Sequence, residues 1–251
     1  MIIASDIHWR VRYEADDASL KRKLTEAIIE DGVLIFAGDV AHKGTKEQYR
    51  LFSEWCRELK NESVILVPAT GNHDISMGWG PLKVTNPKGL ERWKQIMDLA
   101  DENRIAQNEL DSLYRIGRDI FICLNTTWAW LRPARVQKWQ MEWAKEHAPV
   151  GNDLRYHLVT HHSLWTKQSD RHIGMIKPER LTRMLLKPLN VQTAINGHNH
   201  RFELAMERVS GHNLLHIQTP AFCPRKTRGN PGPGYVHWHP EGEAKLVQLS
   251  S

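Results

Sequence analysis

Gly71-Asn72-His73-Asp74 follows the apolar run Val64-Ile65-Leu66-Val67, and the same arrangement recurs along the chain. Met1-Ile2-Ile3-Ala4 ends in Ser5-Asp6-Ile7-His8, and Val33-Leu34-Ile35-Phe36-Ala37 ends in Gly38-Asp39. Further on, Tyr156-His157-Leu158-Val159 meets Thr160-His161-His162-Ser163, and the run from Val191 to Ile195 meets Gly197-His198-Asn199-His200. Apolar runs of this length bounded by Gly and polar residues read as buried strands. Between the first three lie helical patterns. One carries Leu20, Leu24, Ala27 and Ile28 and stops at Gly32, with Asp16 or Asp17 as cap. The other opens with a Thr45/Gln48 capping box and carries Leu51, Phe52, Trp55, Cys56 and Leu59. Strand–helix alternation predicts parallel strands with crossover helices, and sites in such sheets form beyond the carboxyl ends of the strands. Every donor cluster falls at such an end.

Asp6, His8, Asp39, Asn72, His161, His198 and His200 offer oxygen and nitrogen donors without a thiolate. Imidazole with carboxylate suits Mn, Fe, Zn or Ni rather than a structural thiolate-bound zinc. Seven donors suffice for two ions sharing one carboxylate, the arrangement that clamps attacking and leaving oxygens in phosphoryl displacement.

These motifs, in this order, resemble the calcineurin-like metallophosphoesterase family, and they span most of the chain. The resemblance implies a four-layer α/β/β/α sandwich, with parallel strands in the N-terminal part and antiparallel ones after His200, and a dinuclear metal centre. Carried over by position, Asp6, His8 and His200 would hold one metal. Asn72, His161 and His198 would hold the other, and Asp39 would bridge them. His162 would stand nearby. His73 would donate to the scissile phosphate and help protonate the leaving group, with Asp74 accepting from its other nitrogen. A metal-bridging hydroxide would attack phosphorus in line.

The pattern departs from that of phosphoprotein phosphatases, where Gly-Asp is followed by a hydrophobic pair and Asp-Arg-Gly. Here the residues are Val40-Ala41-His42-Lys43-Gly44, so Lys43 is the cation left to meet a phosphate. Leu124-Asn125-Thr126-Thr127 and Gln140-Met141-Glu142-Trp143 look instead like the small bacterial phosphodiesterase branch. The expected activity is hydrolysis of phosphodiesters, of nucleotides or small diesters. A nuclease, a phosphomonoesterase or protein phosphatase, and a metal-free scaffold are the alternatives. Trp9, Trp79 and Trp165 follow or flank the motifs and could stack on a base; Arg171, His172, Arg225, Lys226 and Arg228 could rim the site with positive charge.

Composition sets the remaining bounds. The 251 residues are 41% hydrophobic and a quarter charged, which suits one α/β domain over residues 1–251. A net charge of +5 suits a polyanionic substrate such as a nucleotide or nucleic acid, but fits an enzyme without one nearly as well. Three dispersed cysteines, Cys56, Cys123 and Cys223, imply no disulfide framework. Apolar runs stay at strand length, so no membrane span is expected. The first strand begins at Met1 and leaves no room for a removable leader, making the cytoplasm the expected location.

Overall fold

The computed structural model describes residues 1–9, 15–77, 84–127, 134–164, 178–223 and 232–249. Trp79, Pro133, Trp165, Arg171, His172, Arg225, Lys226 and Arg228 lie outside them.

β1 (Ile2–Ala4), β2 (Val33–Ala37) and β3 (Ile65–Ala69) are parallel neighbours, with Ala4 opposite Phe36 and Ala37 opposite Ala69. Their ends are therefore level, which brings the residues after them to one edge. β3 runs on through Pro68, a residue that cannot donate to a ladder; β3 is accordingly the edge strand. Helices α1 (Ala15–Asp31) and α2 (Lys46–Asn61) make the crossovers. The capping box forms: Thr45 Oγ1 accepts from the Gln48 N–H at 3.3 Å, and Gln48 Oε1 accepts from the Thr45 N–H at 3.4 Å and the Lys43 N–H at 2.9 Å. One glutamine thus starts α2 and tethers the segment after Asp39.

α3 (Asn72–Ile75) is a single turn, followed by the small β4 (Ser76–Met77) and β5 (Val84–Thr85) ladder and by α4 (Pro87–Asp98), capped by Asn86. β6 (Arg104–Asn108), β7 (Asp111–Ile116) and β8 (Asp119–Cys123) form an antiparallel meander of which the sequence analysis anticipates only β8. β9 (Arg155–Val159) and β10 (Val191–Asn196) continue from β8 in parallel. α5 (Lys138–His147) precedes β9; α6 (Pro178–Leu181) and a π turn at Thr182–Leu186 precede β10.

After His200 the strands differ from the expected all-antiparallel extension of a second sheet. β11 (Glu203–Val209) pairs antiparallel with β12 (His212–Gln218), but β12 lies parallel to β10. β13 (Gly234–Trp238) and β14 (Ala244–Gln248) return to the first sheet, β13 antiparallel on β1. The orders are β14-β13-β1-β2-β3 and β11-β12-β10-β9-β8-β7-β6.

The main core joins residues of both sheets, among them Ile3, Ile35, Phe121, Val159, Ile195 and Ile217, and includes Leu24, Phe52, Trp55 and Trp93 from α1, α2 and α4. A second core packs Met141, Ala144, Leu181 and Leu185 on the outer face of the seven-stranded sheet. Helices, sheet, sheet and helices therefore stack in the order the sequence implies. Two tryptophans differ from expectation. Trp139 is 40% exposed, because α5 turns Gln140, Met141 and Ala144 inward. Trp9 is buried against Phe52 and Trp55 with Lys21 Nζ 4.6 Å from its ring, so it packs the core rather than a pocket.

Gln140 faces inward because it has a partner. Its Nε2 donates to Asp111 and to the Asn125 carbonyl, while Asp111 Oδ1 accepts the Asn125 N–H at 2.7 Å. Asp111→Ala leaves these buried donors without an acceptor. A loss of about 1–3 kcal/mol is expected, read as a lower urea midpoint at unchanged slope. An unchanged midpoint would contradict this account of the meander.

Candidate metal centre

The segments leaving β1 and β2 remain interlocked beyond the sheet. The Asp6 N–H donates to the Gly38 carbonyl at 3.0 Å, and the His8 N–H to the Asp39 carbonyl at 2.9 Å. The second sheet joins them where His161 Nδ1 donates to the Ala37 carbonyl at 2.9 Å and the Gly197 N–H to the His161 carbonyl at 3.1 Å. Glycine recurs in these motifs because the loops touch. A Cβ on Gly71 would collide with Asp39 N and Oδ1, and one on Gly197 with Ser5 Oγ.

Five of the seven expected ligands adopt left-handed backbone: Asp6, His8, Asp39, His198 and His200 have φ between 48° and 70°. Such conformations cost non-glycine residues about 1–3 kcal/mol each and persist where the surroundings over-determine them.

All seven come together, in two groups that meet at Asp39. In one, His200 Nε2 lies 3.0 Å and His8 Nε2 3.7 Å from Asp6 Oδ1. In the other, His161 Nε2 lies 3.2 Å from Asn72 Oδ1 and 3.1 Å from His198 Nδ1. Asp39 Oδ2 is 3.3 Å from His161 Nε2 and 4.0 Å from His8 Nε2, touching both groups. The remaining carboxylate oxygens are held by the chain. Asp39 Oδ1 accepts the His73 N–H at 2.7 Å, and Asp6 Oδ2 accepts from Ser5 Oγ at 2.6 Å and the His198 N–H at 2.9 Å.

The electrostatics favour positive charge between these atoms. Burial alone would raise the Asp6 pKa, yet the hydrogen bond and charge of His200 bring it down to about 2. Burial opposes ionisation of Asp39 too, and the neighbouring histidines, His161 foremost, hold it well below the usual carboxylate range. Burial would lower His161, whereas the charge and hydrogen bond of Asp39 lift it to about 9.

The donor set also fits metal ions on chemical grounds. With Nδ1–H of His161 donated to a carbonyl, its neutral form turns the Nε2 lone pair toward two oxygens and another imidazole nitrogen, all lone-pair atoms. Such a set calls for a proton or a cation at its centre, and a ring N–H given to a carbonyl is the usual support of a metal-bound histidine.

Asp74 differs from expectation. Its carboxylate accepts the N–H groups of Gly71 at 2.8 Å, Asp39 at 3.0 Å and Ala41 at 3.0 Å. Burial, then the charge of Asp39, push its pKa up to about 7 against the hydrogen bonds from Ala41 and Gly71. His73 Nδ1 instead lies 2.7 Å from the His42 carbonyl, and the two rings stack 5.9 Å apart. Asp74 thus shapes the Asp39 loop, and His42 orients His73. Position alone gave His42 no role; its place beside Lys43, where relatives carry Asp-Arg, was the available signal.

The other expected residues are less central. His162 Nδ1 is 2.8 Å from Thr126 Oγ1 and its ring is 4.2 Å from that of His198. Lys43 is exposed. Two further donor groups occur among the described residues: His8, His42 and His73, beside the centre, and Glu203, Glu207 and His216 on β11 and β12.

Parallel strand ends delivering hard and borderline donors to one edge define a metal-dependent phosphoester hydrolase. Residues 1–202 match the calcineurin-like phosphoesterase family, and the chain belongs to it. That family depends on a dinuclear metal centre, for which the two groups above are the candidate ligands. Purple acid phosphatase PPD1 from yellow lupin (Lupinus luteus) seeds shares the fold with a TM-score of 0.62 at 16% identity, over 94% of this chain and 48% of that one. The present chain thus spans about half the length of that enzyme. A dimetal phosphatase from Danio rerio superposes with a TM-score of 0.54 at 13% identity, over 99% of this chain and 98% of that one. At these identities the likeness is one of fold. No curated protein matches the chain. Among the described residues, no helix is long and apolar enough to cross a membrane.

Proposed function

We propose that the protein is a dinuclear-metal phosphodiesterase acting on nucleotides or other small diesters. The observation that carries the reading is the meeting of two donor groups at one Asp39 oxygen, 3.3 Å from His161 and 4.0 Å from His8. Asp6, His8 and His200 would hold one divalent ion, Asn72, His161 and His198 the other, and Asp39 both. Ions held there acidify water and offset charge on phosphoryl oxygens.

The chain's own groups do the rest. His73, anchored through Nδ1 on the His42 carbonyl, keeps Nε2 as the atom to bond a phosphoryl oxygen and pass a proton to the leaving group. Asp74, through the N–H groups of Asp39 and Ala41, keeps Asp39 in its left-handed conformation. Water forms the new P–O bond as the ester P–O bond breaks on the leaving side.

The preference for diesters rests on charge. A monoester carries up to two negative charges and is best gripped by a guanidinium fork. This chain has His42-Lys43 at that place, and Lys43 is exposed. A diester carries one charge and needs less.

The test is turnover of bis-p-nitrophenyl phosphate and p-nitrophenyl phosphate after chelation, with Mn²⁺, Fe²⁺, Zn²⁺ or Ni²⁺ added back. Chelation should abolish activity and at least one ion restore it, with the diester preferred. No restoration by any ion would sink the enzyme; preference for the monoester would sink the diester assignment.

A further inference from the structure

Behind the loop carrying His198 and His200 lies a buried polar network that the metal assignment leaves without a purpose. Its hub is Gln218 at the end of β12, 1% exposed. Gln218 Oε1 accepts from Asn199 Nδ2 at 2.9 Å and from Asn196 Nδ2 at 3.2 Å, and its Nε2 donates to the Arg201 carbonyl at 3.2 Å. A single side chain therefore holds the loop before, within and after the two histidines.

The network fixes its own orientation. Asn196 Nδ2 also donates to the Gly197 carbonyl at 3.3 Å, so its Oδ1 is the acceptor that faces His216 Nε2 at 2.5 Å. The Asn196 carbonyl in turn receives the Thr219 N–H at 2.8 Å, tying β10 to the residue after Gln218. Strand pairing needs none of this. β10 and β12 already run in register from Thr193–Leu215 to Asn196–Gln218. A Leu at 218 would serve the sheet and avoid burying an amide. What the amides add is directed at residues 196, 199 and 201.

The loop needs the help. His198 at φ 70° and His200 at φ 58° both sit in the left-handed region, and the His198 N–H must reach Asp6 Oδ2 at 2.9 Å for the two sheets' donors to meet.

We infer that Gln218 is a positioning residue for the metal centre: it clamps the Gly197–His200 loop in the strained conformation that aims His198 and His200. The inference rests on the proposed ligand assignment. Groups that orient metal ligands typically change metal affinity about 10–100-fold when replaced.

The experiment is calorimetric titration of Mn²⁺ into chelator-stripped protein, wild type against Gln218→Met, with circular dichroism and melting temperature recorded on the same samples. Met keeps the length of the side chain and removes all three bonds. About 10–100-fold weaker Mn²⁺ binding is expected, measured well below the melting temperature with the dichroism spectrum of wild type. Wild-type affinity in a folded Gln218→Met, whatever its melting temperature, would make the residue merely structural and overturn the inference. Should Gln218→Met fail to fold, Asn199→Ala decides: it removes one bond to Gln218, and several-fold weaker binding supports the clamp whereas unchanged affinity overturns it. Wild-type protein that takes up no metal would overturn the ligand assignment and the clamp together; two ions bound by wild type with no effect of either variant would overturn the clamp alone.

Discussion

Asp39→Asn is expected to lower metal-dependent turnover of bis-p-nitrophenyl phosphate by at least about 10²-fold, beyond the usual effect of replacing a group that only supports a ligand, and to reduce bound metal from two ions to one or none. Asparagine matches aspartate in shape, so the fold has no packing reason to change. The chemistry changes completely. The His73 N–H at 2.7 Å needs an acceptor, so the amide must present its oxygen there. Its NH₂ then faces His161 and His8, where Asp39 Oδ2 now lies at 3.3 and 4.0 Å. A donor in that place cannot ligate a cation and repels one. Metal content by elemental analysis and turnover at saturating Mn²⁺ check the expectation. Two ions with activity within threefold of wild type would remove Asp39 from the centre of the proposal.

The legible part of the site was the part that strand ends create. Apolar runs announce where β1, β2, β3, β9 and β10 stop, and parallel pairing sends everything after those stops to one edge. Asp6, Asp39, Asn72, His161 and His198 could therefore be placed together without coordinates. Roles that depend on a second loop were not legible. Asp74 is adjacent to His73 in sequence, and adjacency suggested that it orients that ring; its acceptors are instead used on the N–H groups of Asp39, Ala41 and Gly71. Gln218 gave no signal at all, since a single amide near a strand end has no periodicity and no motif.

The same distinction runs through the fold. Alternation in Ser112-Leu113-Tyr114-Arg115-Ile116 was a strand signal that a helix reading of the preceding segment obscured. The last hairpin was readable as antiparallel, but not its sheet: β1 and β12 both had an edge to offer, and which edge β13 takes depends on packing, with Val236 and Trp238 entering the main core. Tryptophan next to a metal motif invited a pocket, yet Trp9 packs on Phe52 and Trp55. Bulk and apolarity draw such a residue inward wherever the helix beside it provides a matching surface.

His73→Gln is the second large effect expected, and its size should depend on the leaving group. Glutamine can still donate a hydrogen bond but cannot deliver a proton at neutral pH, so it separates binding of the phosphate from protonation of the departing oxygen. General acid catalysis is worth about 10²–10⁴-fold when the leaving group is a poor one. A nucleoside or alkyl oxygen needs that proton; p-nitrophenolate, stable as an anion, needs it far less. Turnover of an alkyl or nucleotide diester should therefore fall within that range while that of bis-p-nitrophenyl phosphate falls much less, with metal content unchanged because His73 is not among the proposed ligands. The tether makes the comparison sharp. His73 Nδ1 is held by the His42 carbonyl at 2.7 Å, a main-chain atom that survives side-chain replacement at 42. Equal losses on both diesters would argue that His73 only binds the phosphate. Loss of metal would place it among the ligands with His8 and His42, the group it also neighbours.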